Sequence, residues 1–309
     1  MPAIHLDTDL GSDTDDLCAL AMLLGWPDVE VVGVTTVSDP GGMRAAVAEY
    51  ALGLCGRSDV PVVAGAEGSP GGYAEPYRLP AYWPEPIDPR PARPGEALDL
   101  LAASVERGAG VVAIGPYTNL ALLEAARPGA VRSVPLTVMG GSVHPLGPGL
   151  PQWGWDQDYN VQQDHLAAKV VFERCDPLIV QLAVTLEVWL TERDLPALWS
   201  GGPLARLIAD QGERHGRDHA MAELGRSHEG LPDDLLNFHY DPLACAVACG
   251  WDGVEIEEVP LRTEVVAGRL RLHVDPAGKP SRVVRKVDSV RFSEDWLDAV
   301  LRAARDGSG

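Results

Sequence analysis

The 309-residue sequence is short of positive charge. Its 25 Lys and Arg stand against 45 Asp and Glu, for a formal net charge of −20. Lysine is confined to Lys169, Lys279 and Lys286. A field of that sign repels phosphate backbones and anionic lipid surfaces, which excludes nucleic acid and membrane as partners and favours a neutral or cationic small molecule. Plain solubility accounts for most of the excess acid. Long apolar runs are also lacking, and none approaches the roughly 18 residues that a membrane span needs. The opening Met-Pro-Ala-Ile-His-Leu-Asp has neither the basic nor the apolar region of a signal peptide, so a cytoplasmic location is expected. Cysteine is sparse: five residues, an odd number, with no CxxC and no zinc-site spacing. In apolar segments such thiols behave as small hydrophobes. No internal repeat, low-complexity tract or flexible linker divides the chain, and residues 1–309 are expected to form a single domain. The sequence does hold a hydrophobic share of 46% at a mean hydropathy near zero, which suits a chain with a sizeable core.

Short apolar runs alternate with amphipathic stretches. Strands are predicted over Ala3–Leu6, Val29–Val37, Pro61–Ala64, Val111–Ile114 and Pro135–Met139. Helical spacing follows at Leu17, Leu20, Ala21 and Leu24, then over Met43–Leu54, Glu96–Val105 and Asn119–Ala126. Repeated β-then-α units predict an α/β fold, with a Rossmann-like, mostly parallel central sheet and helices on both faces. Near the end, Val254–Thr263, Val265–Val274 and Arg282–Val290 alternate like strands, with turns at Gly268 and Pro276–Gly278. They predict a small antiparallel extension, closed by a helix over Phe292–Ala304. The stretches Ser69–Gly95 and Gly140–Tyr159 have no clear element, and loops of that length inside a compact chain are usually functional.

The sharpest local feature is Asp7-Thr-Asp9-Leu-Gly11-Ser-Asp13-Thr-Asp15-Asp16, five carboxylates in ten residues between a strand and a helix. Packed together they repel, and each raises the pKa of the others. A cation relieves that penalty, and hard oxygen ligands suit Ca²⁺ or Mg²⁺ rather than zinc. Gly11 permits the turn that bends the chain back over an ion. Ordinary N-capping explains Asp13, Asp15 or Asp16, but not Asp7 and Asp9 on the strand side. An EF-hand starting at Asp7 fails, because its twelfth position is Cys18 and a strand precedes it. An aspartate-nucleophile phosphatase would also open on Asp7 and Asp9, but Gly11 stands where it needs Thr or Val, and no lysine follows a convincing strand. Far along the chain, Asn237-Phe-His239-Tyr240-Asp241-Pro242 opens an apolar helix. There Pro242 is expected at the first helical position with Asp241 as its cap, beside two proton-carrying side chains.

Together these segments resemble the inosine-uridine-preferring nucleoside hydrolase family. The resemblance runs through Asp7-Thr-Asp9-Leu-Gly11 and Asp15-Asp16-Leu-Cys-Ala-Leu, then Val34-Thr-Thr-Val37, Val60-Pro-Val-Val-Ala-Gly65 and Gly115-Pro-Tyr-Thr118-Asn119. It continues through Val138-Met139-Gly-Gly141, Asp158-Tyr-Asn160 and Asp241-Pro242-Leu-Ala, and so spans nearly the whole chain. It implies a calcium-dependent ribonucleoside hydrolase that releases ribose and free base. Asp9 would ligate Ca²⁺ and act as general base on the metal-bound water. Asp16, Asp241 and the backbone carbonyl of Ile114 would be the other ligands. Asp15 and Asn160 would hold ribose hydroxyls, Asp158 would stand where the family has a sugar-binding Glu, and Met139 would line the ribose site. The resemblance further implies a homodimer or homotetramer. A family member that binds sugar or nucleoside without turnover is the first alternative, and the aspartate-nucleophile phosphatase the second.

Three departures bear on the base. Asp13-Thr14 is an apparent insertion, and Leu-Cys-Ala-Leu aligns behind Asp15-Asp16 rather than Asp13. Tyr240 stands where the family often has His, with His239 one step back; either is a candidate to protonate the leaving base. The loop before the third helix carries Tyr73, Tyr77, Tyr82 and Trp83 in place of the usual His-Gly segment, and these aromatics, with Trp153 and Trp155, are candidates to stack on a base.

Overall fold

A computed structural model describes residues 1–69, 82–83 and 86–306. The first half of the chain alternates as the apolar pattern predicts. The order is β1 (Ala3–Thr8), α1 (Asp15–Gly25), β2 (Glu30–Thr36), α2 (Met43–Leu54), β3 (Val62–Ala64), α3 (Glu96–Glu106), β4 (Gly110–Ala113), α4 (Thr118–Ala126) and β5 (Leu136–Met139). The middle runs through α5 (Tyr159–Gln163), α6 (His165–Arg174), β6 (Leu178–Val180), α7 (Leu182–Thr185), β7 (Trp189–Thr191), α8 (Leu195–Ser200), α9 (Pro203–Asp218), α10 (Met221–Arg226) and β8 (Leu235–Phe238). The end holds α11 (Tyr240–Ala248), β9 (Val254–Val266), β10 (Arg269–Val274), β11 (Lys279–Val287) and α12 (Ser289–Asp306).

Among the described residues, nine strands form one sheet in the order β10-β9-β11-β6-β5-β4-β1-β2-β3. From β3 through β6 to β11 every pairing is parallel, while β9 pairs antiparallel with both β11 and β10. The antiparallel extension is thus continuous with the parallel sheet, through β11. Strands β7 and β8 form a separate two-stranded antiparallel pair.

Side-chain alternation along β1 divides the molecule into two cores. Ile4 and Leu6 point into the larger core, with α1, α11 and α12. His5 and Asp7 point the other way, toward α3 and α4. The His5 ring bonds Ser104 at 2.9 Å and Thr35 at 3.0 Å, and Asn119 donates to Asp7 at 2.8 Å. The smaller core on that side joins α3, α4 and α6 to the sheet. Burial raises the Asp7 carboxyl to about 7 and lowers the His5 imidazole to about 3, disfavouring the charged form of both groups under the sheet.

Several details differ from the sequence reading. The last strand ends at Val287, because α12 begins at Ser289, three residues earlier than the apolar pattern suggests. Helix α11 starts at Tyr240 with His239 as its cap, so Asp241 and Pro242 lie inside the first turn. The elements between Gln163 and Leu235 were not resolved from sequence; β6 is only three residues long, and α7, α8 and α10 are no longer than six.

Candidate active site

The acidic motif lies where β1 leaves the sheet, beyond the carboxyl ends of the parallel strands. This is the usual position of a ligand site in such folds. Gly11 turns the chain there at φ 123°, a conformation that side chains rarely adopt. Asp15 and Asp16 then enter as the first two residues of α1, and both are buried. Asp241 arrives from the first turn of α11, also buried. Carboxylate oxygens of Asp15, Asp16 and Asp241 all lie within 4.8 Å of one another. Burial drives all three carboxyls well above the usual carboxylate range, and repulsion from neighbouring carboxylates, Asp9 and Asp13 among them, adds to the shift, while a hydrogen bond between Asp15 and Asp241 lowers the first and raises the second. Asp9 is shifted up by the same burial but opposed by the Arg44 guanidinium, 3.9 Å from its Oδ2. Its place depends on Gly115: a Cβ there would stand 2.8 Å from Asp9 Oδ1 and 2.9 Å from Asp9 N.

These groups line a cleft of about 870 Å³, together with Ile114, Met139, Trp153, Asp158, Asn160 and Tyr240. Ile114 sits just past the end of β4, and its carbonyl accepts a 2.7 Å bond from Asn160 Nδ2. Asn160 also reaches the Met139 carbonyl, at 3.2 Å. Asp158 caps α5, accepting from Val161 N at 3.1 Å and from Gly141 N. Burial raises its carboxyl to about 6 even so. The donor set at the centre is all oxygen, with no thiolate or imidazole, and its carboxylates carry unrelieved repulsion. Both features fit a hard divalent cation.

Several residues singled out from sequence lie elsewhere. His239 is fully buried and outside the cleft, packed 4.2 Å from the Trp296 ring with neither ring nitrogen hydrogen-bonded. Burial lowers it to about 3, so it is an apolar-packed core imidazole and not a proton donor to a ligand in the cleft. Trp83 is likewise buried. Its indole donates to the Gly11 carbonyl at 3.1 Å and meets Tyr50 edge-on, so it supports the acidic turn rather than facing the cleft. Tyr82 donates to Asp218 at 2.7 Å, beyond the cleft lining. Tyr73 and Tyr77 lie outside the described residues. Trp153 lines the cleft, whereas Trp155 sits under Arg271, 5.9 Å from its ring. Asp7, the nucleophile a phosphatase would need, faces the opposite core.

The cleft also holds side chains not anticipated from sequence: Arg44 from α2, and His215 with His219 from the end of α9. Arg44 is buried, its Nε donating to the Ser38 carbonyl at 2.9 Å. The apolar pattern of α2 gives no sign that this charge turns inward.

Residues 4–294 match the model of the inosine-uridine preferring nucleoside hydrolase family. The chain belongs to that family. It is 30% identical over 229 residues to the probable uridine nucleosidase 2 of Oryza sativa subsp. japonica, a stretch covering 67% of this chain and 64% of that protein. It is 27% identical over 229 residues to the pyrimidine-specific ribonucleoside hydrolase RihA of Klebsiella pneumoniae, covering 67% of this chain and 69% of that one. The matched stretch thus spans about two thirds of these relatives. Among solved structures, the purine-preferring ribonucleoside hydrolase from Gardnerella vaginalis superposes with a TM-score of 0.81 at 21% identity, over 98% of this chain and 99% of that one. A nucleoside hydrolase from Bacillus anthracis gives 0.70 at 17% identity, over 98% and 100%. At those identities the likeness establishes the shared fold, a nucleoside hydrolase fold with a large, mostly parallel sheet.

Proposed function

We propose that this protein is a calcium-dependent ribonucleoside hydrolase, which uses water to cut the N-glycosidic bond and gives ribose and a free base. The observation that carries the reading is the buried trio Asp15, Asp16 and Asp241 in a large cleft of a chain of this family. Asp16, Asp241, Asp9 and the Ile114 carbonyl would hold the ion. A divalent cation bound there supplies the positive charge that acidifies and orients a water.

Asp9 then serves as general base, removing a proton from the water that attacks C1′. Burial shifts its carboxyl up, and the nearby Arg44 guanidinium opposes that shift. As the base departs, C1′ becomes oxocarbenium-like, and the surrounding carboxylates stabilise that charge through space. Asp15, Asp158 and Asn160 hold the ribose hydroxyls, with Met139 beneath the ring. Asn160 is hydrogen-bonded to the Ile114 carbonyl, so sugar binding and ion binding share one residue contact. A deoxyribose would leave one of these buried polar groups unpaired, which makes the site selective for ribose.

The test is reducing-sugar release from a panel of purine, pyrimidine and 2′-deoxy nucleosides, with and without EGTA, for wild type and Asp9→Ala. Ribose released by wild type alone and abolished by EGTA supports the reading, and the panel identifies the base. Equal turnover of inosine and 2′-deoxyinosine would overturn the assignment of the hydroxyl-binding residues.

A further inference from the structure

A leaving base must gain a proton or a hydrogen bond as it takes the electron pair of the glycosidic bond, and His239 is too deeply packed to supply one. Another imidazole does line the cleft. His215, from the last turn of α9, is buried except for a few per cent of its surface, and its Nδ1 has no hydrogen-bond partner. The His215 side chain lines a ligand-sized cleft, and its buried Nδ1 lacks the partner that buried polar atoms normally have. The other nitrogen, Nε2, lies 3.6 Å from Asp13 Oδ1. That carboxylate oxygen is itself held by Asn237 Nδ2 and by Thr14 N, at 2.6 Å for the latter. On its outer side the His215 ring is stacked on His219, 4.1 Å between centroids, and His219 also lines the cleft. His219 is fixed in turn by a 3.1 Å bond from its Nδ1 to the His215 carbonyl.

We propose that His215 is the catalytic residue that protonates the departing nucleobase, with Asp13 and Asn237 as its positioning residues and His219 closing the imidazole's exposed face. This inference rests on the nucleosidase reading. It gives a use to Asp13, the apparent insertion in the acidic motif, which the carboxylate trio leaves out. The arrangement follows the logic of an acid oriented by a carboxylate on its far nitrogen. In the step, the C1′–N bond breaks and its electron pair goes to the base. The Nδ1 proton of His215 moves to the base, and Nε2–H stays directed at Asp13. The new C1′–O bond comes from water, whose proton goes to Asp9; Asp9 then releases that proton to solvent and His215 takes one up, which restores both groups. Burial holds His215 below the ordinary imidazole range; the Asp13 carboxylate opposes this, the charge of neighbouring His219 lowers it further, and Asp218 raises it more weakly. A proton placed there is therefore readily given up.

The experiment measures kcat and KM for uridine, inosine and p-nitrophenyl β-D-ribofuranoside with calcium-loaded wild type, His215→Ala, His215→Gln and Asn237→Ala. Nitrophenolate departs without a proton, so it reports the rest of the site. The His215 variants are expected to lose about 10²- to 10⁴-fold in kcat on the nucleosides, and only a few-fold on the nitrophenyl riboside. Asn237→Ala should show a smaller loss with the same bias. Equal losses on both substrate types, at an unchanged melting temperature, would make His215 merely structural and overturn the inference, as would full nucleoside activity in His215→Gln. Failure of wild type on every substrate would instead overturn the nucleosidase reading itself.

Discussion

Calcium should raise the melting temperature of the wild-type protein, and the size of the rise follows from the site. Asp15, Asp16 and Asp241 are buried within 4.8 Å of one another, and the Arg44 guanidinium only partly offsets the upward shift of Asp16. The native state therefore carries a repulsion that an ion removes and that the unfolded chain does not feel. An ion present at 100 times its dissociation constant adds about 2.7 kcal/mol to the native state. Unfolding entropies of about 2.1 cal/mol/K per residue amount to roughly 0.65 kcal/mol/K for 309 residues. The expected rise is therefore about 4 °C at that ratio, growing with the logarithm of calcium concentration. Asp16→Asn and Asp241→Asn each remove one charge from the cluster. They should melt above the wild type in EGTA, since repulsion is relieved, and respond weakly to calcium. The assay is thermal unfolding by circular dichroism over a calcium titration, with magnesium in parallel. If neither ion moves the wild-type midpoint, or if both Asn variants shift as the wild type does, the carboxylate trio is not the ion site.

Two further buried carboxylates contribute to the pH dependence of the ion-free protein. Asp7 and Asp158 have folded-state values raised to about 7 and about 6, above the unfolded value of 3.8, so the native state binds more protons. Stability in EGTA should fall as pH rises from 4 to 7, by up to about 1.4 kcal/mol per pH unit for each such group, as denaturant titrations at fixed pH would reveal; stability increasing over that window would contradict the burial of these groups. Asp9→Asn should retain the calcium-induced melting shift in part while losing about 10²- to 10⁴-fold in kcat. Gly115→Ala drives a methyl against the Asp9 backbone and carboxylate, and should cost about 1–3 kcal/mol of stability together with most of the activity; wild-type kcat in that variant would show that Asp9 tolerates displacement.

The fold was legible over the alternating first half of the chain and again at its end, where the apolar pattern shows a period. Met43–Leu54 was read to the residue, and Leu17 to Leu24 marked the helix that carries Asp15 and Asp16. The region between Gln163 and Leu235 was not: β6, β7, α7, α8 and α10 are too short to show a period, and the longer α6 and α9 were missed despite their length. That gap hid His215 and His219, whose i,i+4 spacing has meaning only once α9 is recognised as a helix. At the site, motif spacing located the acidic turn and Asp241, but not the direction in which a side chain points. His239 and Tyr240 are adjacent, yet one faces Trp296 and the other the cleft, because the chain passes there from β8 into α11. Trp83 looked like a base-stacking aromatic on a loop, but its indole is committed to the Gly11 carbonyl. Composition does not distinguish an aromatic that binds a ligand from one that buttresses a turn.

The most direct test of the central claim is to follow uridine and inosine turnover in ¹⁸O-labelled water with calcium present and to analyse both products by mass spectrometry. The account predicts one ¹⁸O in the ribose at C1 and an unlabelled base, with no product in EGTA. Label in the base, or no cleavage of any nucleoside by a protein that still binds calcium, would contradict it.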